Sequence, residues 1–235
     1  MIIKLDIQAE AHLAEIGGKA ANLAKLSEHF SVPEAFIISA DEAIVSTEVL
    51  QWFDALSVSS VAVRSSAANE DGVSSAWAGQ LETSLNVGRN ELIDAIQHCR
   101  SSVRSARARA YSGLTKSGAG RVAVIVQRMV NARISGVAFT RHPVTNENET
   151  VIEAVVGLGD ALVSGLTTPE TIIVSNNKSL DVLSEQQDIL SKDEITEIAQ
   201  LALGVESRLG YPVDIEWAYE GQNLYLLQAR PITTL

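Results

Sequence analysis

Hydrophobic and polar positions alternate most cleanly near the end of the chain, where two β-rich runs, residues 213–219 and 224–232, flank the turn-like Glu220-Gly-Gln-Asn223. This pattern predicts a β-hairpin. Alternation puts Asp214 and Glu216 on one face of the first arm, and Gln228 and Arg230 on one face of the second. If the turn sets Glu216 opposite Gln228, Asp214 falls opposite Arg230. Such a face gathers two carboxylates, an amide oxygen and a guanidinium, which suits Mg²⁺ and a phosphate oxygen. A buried ion pair on an ordinary sheet explains the same spacing.

The rest of the pattern predicts a mixture of strands and helices. A short strand-like start precedes Gly17-Gly18-Lys19, which opens a helix striped by Ala21, Leu23, Ala24 and Leu26. Residues 31–38 read as a turn into a strand, 41–56 as helical from an Asp cap, and 61–71 as a strand ending in small polar residues. Another strand is expected at 81–87, a long helix at 90–111 and a linker at 113–120. The continuous apolar run 122–130 predicts a central strand, followed by strands at 134–140, 150–156 and 165–174. Residues 181–190 are polar and expected to be exposed, and 193–209 form an amphipathic helix. No internal repeat or low-complexity tract is present.

Several positions in these elements carry candidate chemistry. Two glycines at a helix start free backbone amides for an anion, and Lys19 adds a mobile charge, although the spacing is not that of the common phosphate loop and a solvated lysine explains it too. Arg64 closes a buried strand, a costly place for a guanidinium unless it meets an anion or a carboxylate. The small residues 72–78 and Trp77-Ala-Gly79-Gln80 could cover phosphates or form a plain turn. Arg100, Arg104, Arg107 and Arg109 could touch a polyanion, although a solvated helix face is the commoner arrangement. His12, His29 and His98 lack metal-like spacing and read as surface residues, and His142 as a cap on the Thr-x-x-Pro turn.

Composition narrows the choice. The 235 residues are 46% hydrophobic, enough for a sizeable core in one α/β unit or two lobes. The formal charge of −11 argues against a nucleic-acid or anionic-membrane surface, so an anion site would have to be local. Cys99 is the sole cysteine, which excludes an intrachain disulfide and makes a reducing cytoplasm the expected location. No signal-like start or membrane-length apolar run is seen.

Seven collinear motifs give a sharper expectation: Ile16-Gly-Gly-Lys-Ala-Ala-Asn-Leu23, Val61-Ala-Val-Arg-Ser-Ser-Ala67, Ala78-Gly-Gln-Leu-Glu-Thr83, Val126-Gln-Arg-Met-Val130, Gly136-Val-Ala-Phe-Thr140, Gly157-Leu-Gly-Asp160, and Asp214-Ile-Glu-Trp217 with Gln228-Ala-Arg-Pro-Ile232. Together they resemble the nucleotide-binding domain of phosphoenolpyruvate synthase and pyruvate phosphate dikinase, found also in rifampicin phosphotransferases. The resemblance implies an α+β, ATP-grasp-like fold of two lobes with ATP in the cleft between them, here residues 1–118 (a shortened N-terminal lobe) and 119–235. It implies an ATP-dependent phosphotransferase in which Lys19, Arg64 and Arg230 hold phosphates, and Gly79 and Gln80 belong to the covering loop. Gln127 and Met129 would meet adenine through backbone groups, and Glu216 and Gln228 would ligate Mg²⁺.

Three departures stand out. Only 28 positions separate Phe36 from Arg64, far fewer than in the family. Arg141-His142-Pro143 replaces an acidic or amide residue after Phe-Thr-x, and Ala35 stands for a usual glycine. Family members also continue into a domain with a phosphate-carrying histidine, for which no candidate motif is present here. The expectation is therefore a subunit passing phosphate to a histidine on a separate carrier domain or protein. Direct phosphorylation of a small molecule and a non-catalytic nucleotide-binding module are the alternatives.

Overall fold

The computed structural model describes residues 1–66, 83–102, 122–159, 162, 167–176, 181–182 and 189–232. The chain folds as two compact units, Met1–Glu28 with Pro33–Met129, and His29–Val32 with Val130–Leu235.

The first unit is built on a five-stranded antiparallel sheet in the order β1-β2-β5-β3-β4, from Ile2–Lys4, Ala35–Ile38, Ala123–Arg128, Ser60–Ser66 and Thr83–Gly88 respectively. Its helices are α1 (Leu13–Leu26, after a 3₁₀ turn at Ile7–His12), α2 (Ser46–Leu56) and α3 (Leu92–Ser102). One sheet face presents Phe36, Ile38, Val61, Val63, Val124 and Val126 to Val49 and Phe53 of α2 and Leu92 and Ile96 of α3, forming the apolar core. Helix α1 packs on the opposite face. The sequence boundary after residue 118 assigned the run 122–130 to the second lobe. Its pairing with β2 and β3 puts β5 in the middle of the first sheet, and the division falls after Met129. Helix α2 begins at Ser46 rather than at Asp41, because 41–45 form a turn and extended backbone first.

The second unit holds a six-stranded antiparallel sheet, β11-β10-β6-β7-β8-β9. These are Asn223–Pro231, Val213–Glu220, Ile134–Phe139, Glu149–Val156, Glu170–Ser175 and Asp181–Val182 in that order. Helix α4, Lys192–Leu209, starts with a capping box between Ser191 and Glu194 and ends at Gly210 in the left-handed region, φ 84°. Its buried Ile195, Ile198, Ala202 and Val205 cover the face bearing Ile215, Trp217, Ala138, Ile152 and Ala154. Gly136 is required there, because a Cβ would stand 1.8 Å from the Glu153 carbonyl oxygen and 2.8 Å from the Trp217 ring. Leu190, in a segment expected to be exposed, is buried just before α4.

Candidate nucleotide and metal site

In the first unit two motifs far apart in sequence meet. Gly17 has φ 78°, which breaks α1 into two segments so that the helix restarts at Gly18-Lys19. The amide of Ala20, one residue on, donates to Ser66 Oγ at 3.1 Å. A Cβ on Gly17 would lie 2.5 Å from the Ser66 carbonyl oxygen, so both conformation and space demand glycine. The Gly-Gly-Lys turn is thereby seated on the end of the strand carrying Arg64.

Ser66 and Arg64 share a face of β3, and the register sets Arg64 opposite Ile125 and Ala62 opposite Gln127. Arg64 and Gln127 therefore lie on the face that α1 covers, both buried, while Lys19 is half-buried. Gln127 lies opposite Ala35 and Ala62 in ladders on both sides, and its Nε2 is buried with no hydrogen-bond partner among the described residues. Past the strand end, the Met129 amide donates to the Ser60 carbonyl at 3.3 Å and its carbonyl accepts from Arg128 Nη1 at 3.3 Å. Gly79 and Gln80 lie outside the described residues, as does Asp160.

In the second unit the hairpin has Glu216 opposite Gln228 and Asp214 opposite Arg230. The turn alone does not produce this pairing. Glu220 faces Asn223 and Trp217 faces Leu226, a register that would continue to Glu216 opposite Leu227. A bulge between Glu216 and Trp217 takes up Leu227 as an additional residue and shifts the ladder by one. Without it, Gln228 and Arg230 would point to the α4 side.

Arg230 Nε donates to Asp214 Oδ2 at 2.7 Å, and Nη2 lies 2.7 Å from the same oxygen in an ion pair. That fixes the guanidinium. Asp214 is nine-tenths buried, and its other oxygen, Oδ1, has no hydrogen-bond partner among the described residues. Burial pushes the Asp214 carboxyl up, Arg230 pulls it down, and the charges of Glu216 and Glu153 add to the rise. Glu153 belongs to this face because Glu216 lies opposite Val137, and Val137 opposite Glu153. Burial raises its carboxyl as well. The donor chemistry of this face, oxygens of Glu216 and Gln228 beside a buried Asp214 oxygen without a partner among the described residues, is of the kind a hard divalent cation takes, while no group of three or more acidic, imidazole or thiol side chains that could hold a metal is found among those residues.

Neither Glu153 nor Ser66 was singled out from sequence. Glu153 left a trace, as the lone charge inside the apolar run 150–156. Ser66 left none. His142 caps its turn as expected, its Nδ1 accepting from the amides of Val144 and Thr145 at 3.2 Å each.

A family model, pyruvate phosphate dikinase, AMP/ATP-binding domain, matches residues 42–188 and 176–235. The chain belongs to this family. It is 39% identical to a probable phosphoenolpyruvate synthase of Archaeoglobus fulgidus over 74% of this chain and 27% of that protein. A probable phosphoenolpyruvate synthase of Methanocaldococcus jannaschii is 37% identical over 90% of this chain and 20% of its own length. A rifampicin phosphotransferase of Streptomyces is 34% identical, over 75% and 24%. The chain thus spans about a fifth to a quarter of the length of these relatives. Among solved structures, the VanG D-Ala:D-Ser ligase of Enterococcus faecalis aligns with a TM-score of 0.51 at 12% identity, over 96% of this chain and 55% of that one, a likeness of fold alone. The fold is α+β and ATP-grasp-like. No helix among the described residues is long and apolar enough to cross a membrane.

Proposed function

We propose that the chain binds ATP with Mg²⁺ and acts as a phosphotransferase of the phosphoenolpyruvate synthase and pyruvate phosphate dikinase type in the cytoplasm, passing a phosphoryl group to a histidine on a separate carrier domain or protein. The observation that carries this reading is the hairpin register, which sets Glu216 opposite Gln228 and pins Arg230 on Asp214, in a chain of this family.

Glu216 and Gln228 would hold the Mg²⁺, which neutralises phosphate charge when bound. Held on Asp214, Arg230 would meet a phosphate oxygen with its guanidinium in a fixed orientation. Arg64 and Lys19 would hold further phosphate oxygens, and Gly79 and Gln80 would belong to the loop over them. Gln127 and Met129 would meet adenine. Because the Gln127 backbone lies within sheet ladders, its buried Nε2 is the group there still lacking an acceptor. Phosphoryl transfer asks a protein mainly for positioning and charge stabilisation, which these residues supply.

The test incubates the isolated chain with radiolabelled ATP, alone and with a separately expressed histidine-carrier domain of this family. The expected result is slow hydrolysis and no stable label on the chain alone. With the carrier, an acid-labile, base-stable label should form on it as AMP and phosphate are released. Rapid labelling of the chain itself, lost on replacing His142, would overturn the assignment of the acceptor. Consumption of ATP with a small-molecule extract, in the absence of any carrier, would favour direct phosphorylation.

A further inference from the structure

Glu153 is an expensive residue for its place. It sits in β7 between Ile152 and Ala154, both fully buried, and no hydrogen bond or ion pair to its carboxylate is found among the described residues. A carboxylate partly withdrawn from water without a partner is unfavourable, and an apolar residue would suit the strand better. What the position does offer is a place in the row Gln228, Glu216, Val137, Glu153, which crosses four strands on the face opposite α4. Glu153 stands two strands from Glu216, roughly 10 Å between Cα atoms. Val137, between them, cannot neutralise either charge. Among the described residues, this row and the adjoining one that pairs Asp214 with Arg230 carry three carboxylates, Asp214, Glu216 and Glu153, and one guanidinium, and Asp214, nine-tenths buried, has its Oδ1 without a hydrogen-bond partner there.

We infer that Glu153 is a positioning residue for the divalent cation, accepting a hydrogen bond from water bound to the ion that Glu216 and Gln228 hold. The inference rests on the metal reading of the hairpin given above. Mg²⁺ and Mn²⁺ keep several waters when few protein ligands reach them, and carboxylates around such an ion orient what is bound to it through hydrogen bonds. This role also accounts for an acidic side chain set among the apolar residues 151–156: its charge is compensated only when the cation is present.

The experiment measures Mn²⁺ binding by electron paramagnetic resonance in the presence of ADP, and ADP binding without metal by calorimetry. The proteins are the unmodified chain, Glu153→Gln, Glu153→Asp and Glu216→Ala. Glu153→Gln should weaken Mn²⁺ binding about tenfold while metal-free ADP binding stays unchanged. Glu153→Asp keeps the charge but withdraws it by one methylene, and should also weaken Mn²⁺. An Asp variant equal to the unmodified chain would mean that Glu153 acts only as a distant charge, which overturns the inference. If Glu153→Gln binds Mn²⁺ normally while Glu216→Ala does not, Glu153 has no part in the site although the metal reading stands. If Glu216→Ala also binds normally, the metal reading fails and the inference with it. Circular dichroism establishes that each variant is folded; should the Gln variant not fold, the Asp variant decides by the same measurement.

Discussion

The two sheets treat their polar residues in opposite ways. In the first, Arg64 and Gln127 stand on the central strands β3 and β5, buried on the face that α1 covers, and the nearby helix restart is seated by a backbone amide on Ser66. In the second, Asp214, Glu216, Gln228 and Arg230 stand on the two strands at one edge of the sheet, on the face away from α4. The first arrangement depends on close approach of main chain, the second on the phase of side-chain alternation. Single substitutions should therefore break them differently: the second through lost side-chain donors, the first through lost geometry.

The largest effect is expected at the hairpin. Glu216→Ala should remove the metal-dependent part of ATP binding altogether while leaving the fold intact, because it deletes the proposed cation ligand without leaving a new charge. Calorimetry with and without Mg²⁺ reads this directly, and equal MgATP affinity in the variant would end the comparison as drawn.

Next comes Arg64. Replacing it with lysine should leave less than about a tenth of the turnover with a carrier, since an ammonium cannot reproduce a two-point guanidinium contact and one charge-assisted bond is worth about 1.5–3 kcal/mol. Near-normal turnover in a steady-state assay would make Arg64 structural, and the first sheet a scaffold only.

Gly17→Ala sharpens the geometric side of the contrast. The substitution forces a side chain into φ 78° and drives its Cβ to 2.5 Å from the Ser66 carbonyl. A stability loss of about 2 kcal/mol or more is expected, combining backbone strain with displaced packing. Denaturant titration measures it, and an unperturbed midpoint would show that the junction is not tightly seated.

The smallest effect concerns Leu227. Deleting it removes the bulge yet leaves Glu216 opposite Gln228, because Leu226 and Gln228 then alternate faces without it. Metal-dependent nucleotide binding should persist in the deletion variant, with at most a modest fall in Tm. Loss of metal binding would mean that the bulge aims Gln228 rather than merely setting its phase.

Much of this architecture was legible in advance. The short apolar, β-branched runs 122–130 and 134–140 and the alternating run 213–219 each became a strand. The motif order carried the family, because collinear short motifs are insensitive to where loops begin and end. The grouping of strands into sheets was not legible. The run 122–130 follows a stretch that reads as a linker, yet β5 inserts between β2 and β3, since pairing depends on which apolar faces can be buried together and not on neighbourhood in sequence.

The sequence by itself determined the hairpin, the alternation that puts Asp214 with Glu216 and Gln228 with Arg230, and the family, because these depend on local period and on residue identity. Only the tertiary structure decided that a bulge at Leu227 corrects the phase of the second arm, that Ser66 reaches back to Ala20, and that Glu153 joins the acidic face from two strands away. Each of these is a choice of partner across many residues, made where burial and backbone hydrogen bonding are satisfied together, and no local pattern encodes it.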